Sequence, residues 1–259
     1  MGKYGVLLLN FGGPGHAGEV RPFLYRLFSD KYVLYGMPAP LRHLIAPVLA
    51  LTHAPASARY YAAIGGGSPQ LRWTREQAAG LEVLLNRDAV FGEAYKVSIG
   101  MRSWKPDIRS GLEELRDWGA EKLTLLPLYP QYSFSTTRSS LEEARRQLDK
   151  MGWKPELREV RSWPSHPAYI GLLRALLDET LARASAGGAR PHVIFSAHSL
   201  PVRWSMPATP TAARWSAPSR HWSAACPPPG RWLSSPGAAA CAGWSPTWRT
   251  NCPGWPPPG

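Results

Sequence analysis

Cysteine is scarce in this 259-residue chain: Cys226, Cys241 and Cys252 are the only three, all near the C-terminus, and none forms a CxxC pair. Such spacing indicates neither a zinc site nor a disulfide framework. Long hydrophobic runs are missing too. The longest candidate, residues 45–51, is broken by Pro47 and falls far short of the roughly 20 apolar residues that span a bilayer, so no stable membrane insertion is expected. Met1-Gly-Lys-Tyr-Gly leads into a strand-like run without a signal-peptide pattern, and Val6 stands where a myristoylation motif needs Ser or Thr; a cytoplasmic location is expected. Negative charge is the third shortage, 18 acidic residues against 30 basic ones, for a formal net charge of +12. An excess of that size ordinarily points to nucleic acid. Here every acidic residue precedes Trp204 and is interleaved with basic ones, as in Glu142-Glu143-Ala144-Arg145-Arg146, which reads as a solvated helix face; no nucleic-acid partner is expected.

What is present, up to Arg203, is an alternation of short β-branched or Leu-rich runs with longer amphipathic stretches. This is the pattern of an α/β fold with a parallel sheet and covering helices. Strands are expected at 4–10, 95–100, 122–128, 156–160 and 192–196, and helices at 19–28, 74–86, 106–118, 139–151 and 166–184. The helical stretches space apolar residues by three and four, as at Leu172, Leu173, Leu176 and Leu177. Pro167 suits a first helical turn, and Ser139 followed by Glu142 has capping-box spacing.

From Trp204 the composition changes. The remaining residues hold no Asp, Glu, Lys, Val, Ile, Phe or Tyr, yet carry seven of the twelve Trp and twelve of the 27 Pro. Proline breaks helices and strands alike, and few aliphatic side chains remain to bury, so a packed domain is not expected there. Regrouping the codons of residues 204–211 one base earlier permits Val-Val-Asp-Ala-Gly-Asp-Pro-Tyr. The same phase permits Ala-Phe-Gln-Ser-Arg from 232–237 and Trp-Leu-Glu-Pro-Asp-Val-Glu-Asp-Glu-Leu from 242–252. Three segments agreeing on one phase mark 204–259 as an out-of-frame tail, expected to be disordered.

Two glycine clusters need weighing. Gly13-Pro-Gly15-His-Ala-Gly18 matches the dinucleotide fingerprint G-x-G-x-x-G, but the nearest candidate for the ribose-holding acid expected about twenty positions on, Asp30, comes too early. Ile64-Gly-Gly-Gly-Ser-Pro69 could cradle phosphate, but no Gly-Lys-Ser/Thr follows. A sharp turn off a buried strand explains the first, and an open turn feeding a helix explains the second. With their neighbours they carry more: Asn10-Phe-Gly-Gly-Pro14, Tyr60-Tyr-Ala-Ala-Ile-Gly-Gly-Gly-Ser-Pro69, Gly100-Met-Arg-Ser-Trp-Lys-Pro106, Leu128-Tyr-Pro-Gln-Tyr-Ser-Phe-Ser-Thr-Thr137 and Ser196-Ala-His-Ser-Leu-Pro201.

In order and spacing these five motifs resemble ferrochelatases, which insert ferrous iron into a porphyrin in haem biosynthesis. The resemblance runs from about Tyr4 to Arg203, and the reframed tail continues it. It implies a chelatase-like fold of two Rossmann-like parallel-sheet halves, the second incomplete: 1–150 as the first half, 151–203 as a partial second half with the histidine motif, then the tail. His198 is implied as the catalytic and metal-meeting residue, since a neutral imidazole can ligate iron or accept a pyrrole proton. Phe11, Met101, Arg102, Tyr132, Ser133, Ser135 and Thr136 are implied along the porphyrin, with Thr137 completing the hydroxyl-rich turn. Arg102 would pair with a propionate. Phe11 stands where some relatives place a tyrosine and can stack on the ring but not ligate iron. Ser103 departs from a tyrosine common in relatives. The glutamate that faces the family's histidine has no counterpart here. The expected partners are a porphyrin, protoporphyrin IX or coproporphyrin III, and ferrous iron as substrate; no cofactor beyond these, and no NAD, is expected. A non-catalytic porphyrin-binding remnant and an NAD(P)-dependent oxidoreductase stay open as alternatives. Sequencing the gene across the codon for Trp204 is expected to reveal the one-base slip; an unbroken frame there would reject it.

Overall fold

Val6 to Leu9 form an unbroken apolar run, the mark of a strand buried on both faces, and they lie in an interior strand of a four-stranded sheet. The computed structural model describes residues 2–188 and 190–197 and a short strand at 232–234. The chain divides into two units, Met1–Pro164 and Ser165–Gly259.

In the first unit, β1 (Gly2–Asn10) pairs in parallel with β2 (Glu93–Met101) on one side and β3 (Lys122–Pro127) on the other. β4 (Glu156–Glu159) extends the sheet in parallel beyond β3, for the order β2-β1-β3-β4. Alternate residues of β1 face opposite ways, as the pleat requires. Leu7 and Leu9, with Leu123 and Leu125, pack on Ile108, Leu112 and Leu115 of α4 (Ile108–Trp118) and on Leu141, Ala144 and Leu148 of α5 (Ser139–Met151). Val6, Leu8 and Val97 pack instead on Ala78 of α3 (Gln70–Arg87). Asp107 caps α4 by accepting from the Ser110 N–H at 2.9 Å. At Gly111 the helix meets the sheet so closely that a Cβ would stand 2.4 Å from the Ile99 carbonyl oxygen.

A second layer forms from α1 (Val20–Phe28) and α2 (Ala39–Ala63). Sequence reasoning did not foresee α2, because Pro47 and Pro55 lie inside it. What holds it is an alanine every fourth residue: Ala46 and Ala50 are fully buried, and Ala50, Ala54 and Ala58 join the cluster of Val20, Phe23, Leu24 and Trp104. Small side chains on an i, i+4 ridge let two helices approach closely, and that packing outweighs the two missing N–H donors.

Two further expectations are corrected. The strand at 156–160 was assigned to a second half beginning at residue 151; as β4 it pairs with β3, and the first unit runs to Pro164. Ser139 does not cap α5, for Arg138 holds that position without a side-chain bond, and the Ser139 hydroxyl turns instead to Asp30. The second unit contains α6 (Pro167–Ser185), with Pro167 in its first turn as expected, and β5 (Phe195–Ala197). The backbone of β5 pairs in parallel with β6 (Trp232–Ser234), which falls inside the segment expected to lack structure. No helix among the described residues is long and apolar enough to cross a membrane.

Glu142 ties the loop after α1 to the start of α5, accepting from Lys31 Nζ at 3.1 Å and Arg138 Nε at 2.7 Å. Burial works to raise its pKa, but the Tyr32 hydroxyl, Arg138 and Lys31 together outweigh burial and bring it down to about 2. A carboxylate depressed from 4.5 contributes stability above the unfolded value, and that contribution is lost as pH falls through the folded one. Glu142→Gln is therefore expected to be less stable than the parent at neutral pH, the gap closing between pH 4.5 and about 2 in denaturant titrations. Gly111→Ala should lower unfolding stability by about 1–3 kcal/mol, since backbone rather than a flexible side chain blocks the added methyl.

Candidate functional site

The loops after β1, β2 and β3 gather at the carboxyl edge of the sheet, where open parallel sheets place ligands. Asn10 closes β1 and fastens it to α3. Its Oδ1 accepts from the Phe11 N–H and from Gln70 Nε2, both at 2.8 Å, and its Nδ2 donates to Thr74 Oγ1 at 3.0 Å. The two glycine clusters meet each other just beyond. The Ser68 N–H donates to the Pro14 carbonyl at 2.7 Å, and a Cβ on Gly67 would stand 2.1 Å from the Gly15 carbonyl oxygen. Gly15 gives its own N–H to the Glu19 carboxylate at 2.7 Å, and the same Glu19 oxygen accepts from the Trp104 indole at 3.1 Å. Glycine is needed there because two backbones touch.

A cavity of about 510 Å³ opens beside this junction, lined by Phe11, Phe23, Leu24, Tyr61, Ser68 and Gln70 among others. Phe11 stands edge-on to Phe23, ring centroids 6.5 Å apart. Burial raises the Tyr61 phenol above its usual pKa, so it stays a neutral donor at physiological pH. The cavity thus combines aromatic faces with a few hydroxyl and amide groups, a lining suited to a flat, mostly apolar ligand. Tyr61, Ser68 and Gln70 were not singled out from sequence, although the first two lie in the Tyr60–Pro69 motif.

A second cavity, of about 400 Å³, is lined by Met101, Arg102, Asp30, His43, Arg109 and Glu143 among others. Its polar groups are largely engaged with one another. Burial raises the Glu143 carboxyl, but hydrogen bonds from Arg146 and Gln147 and the nearby Arg102 charge carry it below the usual range. Met101 is fully buried, and Arg102 is ion-paired with Asp30 at 2.9 Å.

The structure therefore divides the residues expected along one ligand. Phe11 lines the first cavity, Met101 and Arg102 the second, and the hydroxyl-rich turn lines neither. That turn is a π-helical segment, Phe134–Arg138. The buried Ser133 hydroxyl caps it, accepting from the Thr136 N–H at 3.1 Å and contacting the Thr136 hydroxyl, while Thr137 donates to the Gln131 carbonyl. Tyr132 stands edge-on to Phe134 at 6.4 Å, and Ser135 is half-buried in the same turn. Nearby, burial pushes the Tyr129 phenol far above its usual pKa, against the opposing pull of Ser140 and Arg102. His198 lies outside the described residues. Among the described residues no group of three or more His, Cys, Asp or Glu is placed to hold a metal ion.

Known proteins are similar to this sequence. The profile of the Ferrochelatase family matches residues 3–210, ending a few residues past the change of composition at Trp204. The ferrochelatase of Desulfotalea psychrophila is 40% identical over 197 residues, covering 76% of this chain and 60% of that protein. Those of Synechococcus sp. strain JA-3-3Ab and Aquifex aeolicus are 41% and 39% identical, over 78% and 77% of this chain and 58% and 60% of their own lengths. The chain thus spans about three fifths of the length of these curated relatives, and by the reach of the family profile along it, it belongs to the ferrochelatase family.

Proposed function

We propose that this chain is the porphyrin-seating part of a ferrochelatase, the enzyme that exchanges two pyrrole protons for a ferrous ion. The observation that carries the reading is the family match running through residue 210, which takes in both the Asn10–Pro14 turn and the Ser196–Pro201 motif. The 510 Å³ cavity beside Phe11 supports it, with aromatic walls for the macrocycle and polar groups at its margin. The substrate is protoporphyrin IX or coproporphyrin III, and ferrous iron is the second substrate.

Iron must shed water and the ring must lose two inner protons before four Fe–N bonds replace two N–H bonds. His198 is the residue assigned to that exchange. As neutral imidazole it offers one lone pair, to the arriving metal or to a pyrrole proton. Two protons leave and an imidazole holds only one at a time, and the resemblance implies a facing glutamate as the second acceptor. This chain has no acidic residue after Glu179. Binding should therefore survive better than chemistry. The oxidoreductase alternative finds little support at the Gly13–Gly18 loop, where the Gly15 N–H is already taken by a carboxylate that would repel a pyrophosphate.

An anaerobic assay with ferrous iron and each porphyrin tests the reading. Saturable quenching of porphyrin fluorescence is expected, with haem formation far below that of the full-length Aquifex aeolicus enzyme run alongside. A chain that binds neither porphyrin would sink the proposal, and one that binds a nicotinamide cofactor instead would support the oxidoreductase.

A further inference from the structure

The carboxyl edge contains a charge pair whose geometry conflicts with a direct ligand role for Arg102. The Asp30 side chain is wholly buried and Arg102 is 18% exposed, with Nη2 at 2.9 Å from Oδ2. Arg102 Nε donates to the Ser139 hydroxyl at 2.7 Å, and that hydroxyl in turn donates to Asp30 Oδ2. Asp30 Oδ1 accepts from the Tyr32 N–H at 2.8 Å. One edge of the guanidinium is thus engaged, Nη2 by the Asp30 carboxylate and Nε by the Ser139 hydroxyl.

The backbone that carries Arg102 also holds the Phe11 loop. The Arg102 N–H donates to the Asn10 carbonyl and the Ser103 N–H to the Phe11 carbonyl, each at 2.8 Å. The loops after α1, β1, β2 and β3 are thus tied through one buried cluster. A propionate drawing Arg102 away would strand the Asp30 carboxylate in a dry site, and a buried ion that loses its partner is strongly destabilising.

We propose that Arg102 is a positioning residue: with Asp30 and Ser139 it fixes Phe11 against the macrocycle, and it does not take up a substrate propionate. The inference rests on the porphyrin reading above. It is tested by fluorescence titration of the whole chain with two probes, mesoporphyrin, which carries two propionates, and etioporphyrin, which carries none. Arg102→Gln and Asp30→Asn should each weaken both probes by the same factor, on the order of tenfold. The double variant, with two neutral amides facing each other, should recover most of both affinities. Arg102→Lys, which keeps the charge but loses the fork, serves should Arg102→Gln not fold, and should weaken both probes alike.

Loss confined to mesoporphyrin in Arg102→Gln, or tighter mesoporphyrin binding once Asp30→Asn frees the guanidinium, overturns the proposal. So do variants that melt earlier but, measured where they are folded, bind both probes as the parent does, for then the cluster serves stability alone. A parent chain that binds neither probe defeats the porphyrin reading itself, and the inference with it; the unmodified protein tells the two failures apart.

Discussion

A parallel strand buried on both faces can present chemistry only at its ends, and β1 is such a strand. Val6 to Leu9 are spent on the core, so whatever this unit does must be done by the residues that follow Asn10 and by the loops that β2 and β3 release beside it. The polar bonds of Asn10 to Gln70 and Thr74, and the backbone bonds from Arg102 and Ser103, are how the end of β1 is held once the ladder stops. Packing thereby dictates where the functional surface lies, and hydrogen bonding dictates its shape.

Much of the architecture was legible because period and propensity agree there. The run at 4–10 and the three-and-four spacing of 139–151 gave strand and helix at nearly the observed limits. The second helix was not legible, since the rule that proline ends a helix competes with a quieter signal, alanine at 46, 50, 54 and 58, that matters only once α1 lies against it. The short strand at 156–159 could be recognised as a strand but not assigned to its sheet. Its partner, β3, lies across the whole of α5, and strand pairing of that range has no local mark.

The site was legible in part for the same reason. Phe11 follows a buried strand, and the structure puts it at a cavity wall. Arg102 shows the limit of reading by type. An arginine in the Gly100–Pro106 motif invites an ionic role toward a ligand, yet its partner, Asp30, is 72 positions away and had been weighed only as a ribose acid, and set aside. Ser139 likewise had the spacing of a helix cap, and the buried carboxylate claimed its hydroxyl instead. Competition for a polar group is decided by burial, which a one-dimensional pattern does not display.

The meeting of Gly67 with Gly15 has a consequence beyond tolerance of close backbones. Because the carbonyl of one loop rests where the side chain of the other would be, the two segments pack as a single wall, with Phe11 on one side of the seam and Ser68 on the other. Widening that seam by one methyl group would push the walls of the aromatic chamber apart from behind, so its bore is governed by a residue that lines no part of it.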